Sequence, residues 1–139
     1  MTRTDNSTFN EISISFTEKE LSLFASLSGD FNPMHMDELF ARKSPFGQRI
    51  VFGALSTIAC LQLIEDARFI LPSEIEVEFK KPVFMGKVYR AVVEESDENV
   101  LVICVYDGEA SCLRLLLRAS KSLEDSTSAT YPVPSITSK

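Results

Sequence analysis

Ile50-Val51-Phe52-Gly53-Ala54-Leu55-Ser56-Thr57-Ile58-Ala59-Cys60-Leu61-Gln62-Leu63-Ile64-Glu65-Asp66 decides the fold. Its first dozen residues are apolar or small on nearly every face, a pattern that a helix on the surface of a water-soluble protein does not tolerate. The reading is therefore one long apolar helix that other elements must wrap. The wrapping material follows it. Residues 73–79 alternate Ile75, Val77 and Phe79 against Glu74, Glu76 and Glu78, the period of a strand with one wet face. Pro82 breaks that strand and marks an edge or a bulge. Three more strands are predicted over 88–94, 101–106 and 112–119, the last two joined by the hairpin signal Asp107-Gly108-Glu109.

Upstream of the helix, Ile12, Ile14 and Phe16 alternate with Ser13 and Ser15 as a half-buried strand. Thr17-Glu18-Lys19-Glu20 then matches the S/T-x-x-E capping box, and Leu21, Phe24, Ala25 and Leu27 follow at helical spacing. A short helix over 38–43, capped by Asp37, is expected before the Ser44-Pro45-Phe46-Gly47 turn. The predicted order is strand, short helices, buried helix and four antiparallel strands. A twisted antiparallel sheet of about five strands curled around one central helix buries the apolar surface of both, so the fold class is α+β.

Between the two helical parts lies Ser28-Gly29-Asp30-Phe31-Asn32-Pro33-Met34-His35-Met36-Asp37. Gly29 and the Asn32-Pro33 pair argue against a regular helix here, so the stretch reads as a shaped loop. His35 is the only histidine of the chain. A loop that turns Asp30 and His35 toward one point brings together a carboxylate and an imidazole, which can hold and deprotonate a water near neutral pH. The plainer reading is turn formation by Asp, Asn, Gly and Pro. For Asp37 the capping role is preferred, and Asn32 shapes the turn or touches the pocket. Ser56 and Thr57 read as small helix residues packed against the sheet.

At 139 residues the chain is one domain, with 45% apolar and 24% charged residues, which is the composition of a globular protein and not of a disordered one. A formal charge of −6 disfavours a nucleic-acid partner. The local clusters Arg42-Lys43 with Arg49, and Lys80-Lys81, read as solvated surface charge, with phosphate binding as the alternative. Cys60, Cys104 and Cys112 lie in apolar runs without metal-ligand spacing, and they read as buried small hydrophobes in a reducing compartment. No apolar run reaches the roughly 20 residues of a membrane span, and the polar N-terminus lacks the core of a signal peptide, so a cytoplasmic protein without a membrane partner is expected. Residues 1–10 are expected to be flexible, 11–121 to form the domain, and 122–139 to be a disordered tail or linker.

These residues resemble the single-hot-dog, MaoC-like (R)-specific enoyl-CoA hydratases, also called hydratase 2. The family pattern S-G-D-x-N-P-x-H-x-D, a phenylalanine-glycine turn and I-x-H-G-x-L corresponds to the decapeptide from Ser28, to Phe46-Gly47, and to the six residues from Ile50. Phe79-Lys80-Lys81-Pro82-Val83-Phe84-Met85-Gly86 resembles the family's F-x-x-P-V-x-x-G turn. The resemblance implies a hot-dog fold, a homodimer whose sheets join edge to edge, and reversible addition of water to a trans-2-enoyl thioester. It assigns the water to Asp30 and His35, and polarisation of the thioester carbonyl to the backbone N–H of Gly53. No cofactor is implied; the substrate is carried on the phosphopantetheine of CoA or of an acyl carrier protein.

One departure stands out. Phe52 occupies the place of the family's histidine before Gly53, which makes the pocket more apolar. Two further readings stay open beside the hydratase: a dehydratase acting on carrier-protein-bound 3-hydroxyacyl chains in a polyketide or fatty-acid pathway, and a non-catalytic hot-dog subunit that binds an acyl chain.

Overall fold

The computed structural model describes residues 10–120. In chain order the elements are β1 (Glu11–Ile14), α1 (Glu18–Ser28), α2 (Pro33–Met36), α3 (Glu38–Lys43), α4 (Gly53–Cys60), β2 (Glu74–Phe79), β3 (Tyr89–Ser96), β4 (Val100–Asp107) and β5 (Ala110–Arg118). Short 3-10 turns at Leu61–Leu63 and Ala67–Phe69 lie between α4 and β2. The five strands form one antiparallel sheet in the order β1-β3-β4-β5-β2. Apart from Asn10, the expected flexible N-terminus and the expected tail lie outside the described residues.

The sheet and the central helix share one core. Leu55, Ala59 and Cys60 of α4 pack with Ile12 and Ile14 of β1, Leu101, Ile103 and Val105 of β4, and Leu113, Leu115 and Leu117 of β5. Alternate residues of β4 and β5 face the helix, as the twofold period of a strand requires. The β4–β5 hairpin closes with Asp107 opposite Ala110, and Gly108 takes the positive φ of 59° that a tight turn needs. This is the hot-dog fold that the sequence predicts.

Three expectations change. The long helix over 50–66 is instead eight residues, Gly53–Cys60, followed by a single tighter turn. Its start is delayed because Ile50 forms a β-bridge with Phe84 and the Val51 N–H donates to the Val83 carbonyl at 2.7 Å, so these two residues are held extended. Nor is it wrapped all round: Ile58 is 47% exposed in the single chain. Strand β2 has no clean dry face, since Ile75 and Phe79 are each 58% exposed and Val77 alone is half-buried. Among the described residues it is a sheet edge paired only to β5, with no neighbour to cover them. The loop over 28–37 contains one helical turn, α2, because Pro33 sits at its first position, where a missing N–H costs nothing.

Candidate active site

The turn that carries His35 is built by its own sequence. Asn32 caps α2 by accepting the Met34 N–H on its side-chain oxygen at 3.0 Å, and Asp37 caps α3 by accepting the Phe40 N–H at 3.1 Å, the role preferred for it from sequence. Gly29 ends α1 in the left-handed region, with φ 77°. Asp30 lies in this corner, exposed, with its carboxylate accepting the Asn32 N–H at 3.0 Å.

His35 is gripped from three sides. Its Nδ1 lies 2.6 Å from the Ile50 carbonyl, its own carbonyl accepts Nε–H of Arg49 at 2.6 Å, and its ring rests 4.2 Å from the ring of Phe52. The Ile50 N–H in turn donates to the Met34 carbonyl at 3.1 Å. A carbonyl oxygen can only accept, so the bond to Ile50 places a proton on Nδ1 and leaves Nε2 of the neutral ring as a lone pair. The imidazole is thus set up as a base in one tautomer.

Arg49, read from sequence as part of a surface cluster, is buried. Besides holding His35, its guanidinium pairs with Glu18 of α1, and this bond is the main reason the Glu18 carboxyl is held below its ordinary range. The reading failed because charge type in sequence does not report burial.

A cleft of about 340 Å³ opens beside His35, within the range of small-molecule sites. His35, Gly53, Ser56, Phe79, Lys80 and Lys81 line it, with Val83 and Leu113 behind them. Gly53 is the first residue of α4, where an N–H has no acceptor within the helix and lies at the positive end of the helix dipole. A Cβ on Gly53 would stand 2.9 Å from Cε1 and Cζ of Phe79, so glycine lets that ring pack against the start of the helix. The structure therefore brings His35 and Gly53 together in one cleft.

It does not place the other candidates in that lining. Asp30 and Asn32 are exposed outside it, and Phe52 is buried behind the His35 ring, where it also packs 4.8 Å from the Phe24 ring. Phe52 therefore acts as packing that fixes the imidazole and does not line the pocket. Ser56 is the cleft residue whose position the sequence reading missed; only its place one turn after Gly53 hinted at it. Cys60, Cys104 and Cys112 are free and buried, and burial pushes the Cys60 thiol up to about 12, which leaves it inert. Among the described residues no group of three or more His, Cys, Asp or Glu could hold a metal ion, and no helix is long and apolar enough to cross a membrane.

The family model described as MaoC like domain matches residues 2–108. The chain belongs to the MaoC-like family. Within that family it is 32% identical over 101 residues to a 3-hydroxybutyryl-CoA dehydratase of Methylorubrum extorquens, a match covering 64% of each protein. It is 38% identical over 84 residues to an (R)-specific enoyl-CoA hydratase of Aeromonas caviae, covering 57% of this chain and 61% of that protein. The chain thus spans somewhat under two thirds of the length of these relatives. An R-hydratase of Pseudomonas aeruginosa in its unliganded form shares the MaoC-like fold with a TM-score of 0.64 at 24% identity, over 78% of this chain and 76% of that one.

Proposed function

We propose that this MaoC-like protein adds water reversibly across the C2–C3 double bond of a trans-2-enoyl thioester to give an (R)-3-hydroxyacyl thioester. The observation that carries this is the histidine whose free Nε2 shares a cleft with the unpaired N-terminus of α4. In the forward direction the water oxygen forms a bond to C3 as His35 Nε2 takes its proton. The C2–C3 π electrons move toward the carbonyl, whose oxygen gathers negative charge against the Gly53 N–H. Collapse of this enolate returns that proton from the His35 imidazolium to C2, which restores the neutral ring and completes the addition of H and OH. Asp30, on the exposed corner just before α2 and outside the cleft lining of the single chain, is the second group of the pair and orients the water.

The acyl group arrives on phosphopantetheine, of CoA or of an acyl carrier protein. Lys80 and Lys81 beside the cleft suit the phosphate that either carrier bears. One relative, in Arabidopsis thaliana, is a mitochondrial 3-hydroxyacyl-[acyl-carrier-protein] dehydratase, 31% identical over 83 residues, so the carrier-bound reading stands beside the free-CoA one. The functional unit is a homodimer joined at the β2 edge. The exposed Ile75 and Phe79 of β2 and the exposed Ile58 of α4 support this, since a single chain leaves them in water.

The test follows the loss of enoyl-thioester absorbance with short and medium trans-2-enoyl-CoA substrates and with their carrier-bound forms. The parent should turn over at least one series. His35→Ala should lower kcat by about 10² or more, and Asp30→Asn should do the same. A parent inactive on both series sinks the proposal. An Asp30→Asn variant at full rate would leave His35 as the sole acid–base group.

A further inference from the structure

We propose that Ser56 is a further catalytic residue: its hydroxyl donates a hydrogen bond to the thioester carbonyl oxygen as charge builds there, making a two-donor site with the Gly53 N–H. The inference rests on the hydration reading above and deepens it.

One hydroxyl in the cleft has no partner among the described residues. Ser56 is 1% exposed, and its Oγ is buried with no hydrogen-bond partner among the described residues. A serine inside a helix has an easy way to avoid this, by donating back to the carbonyl four residues earlier. Its neighbour does so: the Thr57 hydroxyl donates to the Gly53 carbonyl at 2.9 Å. Ser56 leaves the Phe52 carbonyl to its own backbone N–H, at 3.0 Å, and keeps its hydroxyl unspent. A buried unpaired polar group weakens a fold, so a partner is expected from outside the chain.

The direction is set by the helix. Ser56 is three residues after Gly53, on the same face, and a helical side chain leans toward the N-terminus, which here means toward Gly53. Both residues line the cleft that holds His35. The other two buried side-chain atoms without partners, on Arg49 and Ser111, belong to residues outside that lining. A rotatable hydroxyl held one helical turn from the Gly53 N–H needs only a small reorientation to meet charge that builds there.

The experiment compares Ser56→Ala, Ser56→Thr and Ser56→Val by kcat, KM and thermal midpoint, on whichever thioester series the parent turns over. Expected is a fall in kcat of about 10²-fold for the Ala and Val variants, with KM within a few-fold of the parent. Thr, which matches Val in shape but keeps the hydroxyl, should recover most of the rate. The midpoint of Ser56→Ala should equal or exceed the parent's, because an unpaired group has been removed. A kcat for Ser56→Ala within twofold of the parent would overturn the role, and so would a lowered midpoint with no advantage of Thr over Val. Those results leave the hydratase reading standing, whereas a parent inactive on every thioester removes both.

Discussion

Gly53 shows at the scale of one residue how stability and chemistry separate in this site. Its φ is not in the left-handed region, so alanine fits the backbone there. The obstacle is the Phe79 ring, 2.9 Å from the position of the new Cβ, but only its far edge, Cε1 and Cζ, makes that contact, which a small rotation of the side chain relieves. Gly53→Ala should therefore unfold at the same temperature as the parent or higher. Its kcat/KM should drop about 10- to 100-fold, because the methyl and the displaced ring occupy the approach to the backbone N–H. Unchanged turnover in a steady-state assay would mean that the carbonyl docks elsewhere. His35 shows the complementary case, a side chain whose tautomer is decided by the Ile50 carbonyl fifteen residues away.

At the scale of the element, α1 anchors the site through Glu18 and its bond to Arg49, and the start of α1 is held by its capping box. The Glu20 carboxylate accepts the Thr17 N–H at 2.9 Å and the Thr17 hydroxyl, and the hydroxyl is the main reason its pKa falls from 4.5 to about 2. A carboxyl with a lowered folded-state pKa contributes stability that is present above its unfolded value. That stability is lost as pH falls from 4.5 through about 2. Thr17→Ala should cost about 1 kcal/mol in denaturant unfolding at pH 7. The gap between parent and variant should narrow steadily below pH 4.5, and a gap independent of pH would show that the carboxylate adds nothing to the cap.

At the scale of the whole molecule, the unfinished surface is the argument for a second copy. Among the described residues β2 has β5 on one side and no strand on the other, and Ile75 is exposed although it lies in the middle of an apolar alternation. Ile75→Lys changes an exposed position, so the isolated fold should lose no more than about 0.5 kcal/mol. Sedimentation should nevertheless shift from twice the chain mass to the chain mass, and activity should fall with it, because Phe79 at the end of the same strand lines the cleft. A monomeric parent, or a dimer untouched by the lysine, would rule out this edge as the interface.

Local signals were enough for much of this protein. Alternation marked β1 and β2, apolar runs between turn signals marked β3 to β5, Thr17-x-x-Glu20 the start of α1 and Asp107-Gly108 the hairpin, because each depends on residues within a few positions of one another. The resemblance put Gly53 at the start of the central helix, where α4 does begin. Other features depend on contacts between distant segments. Ile50 and Val51 are held straight by Phe84 and Val83, and that pairing shortens α4 and puts its N-terminus in the cleft. Burial of Arg49, the grip on the His35 ring and the unpartnered hydroxyl of Ser56 likewise appear only when the chain has closed on itself. Periodicity reports which residues share a face; hydrogen-bond partners thirty positions apart are decided by tertiary packing alone.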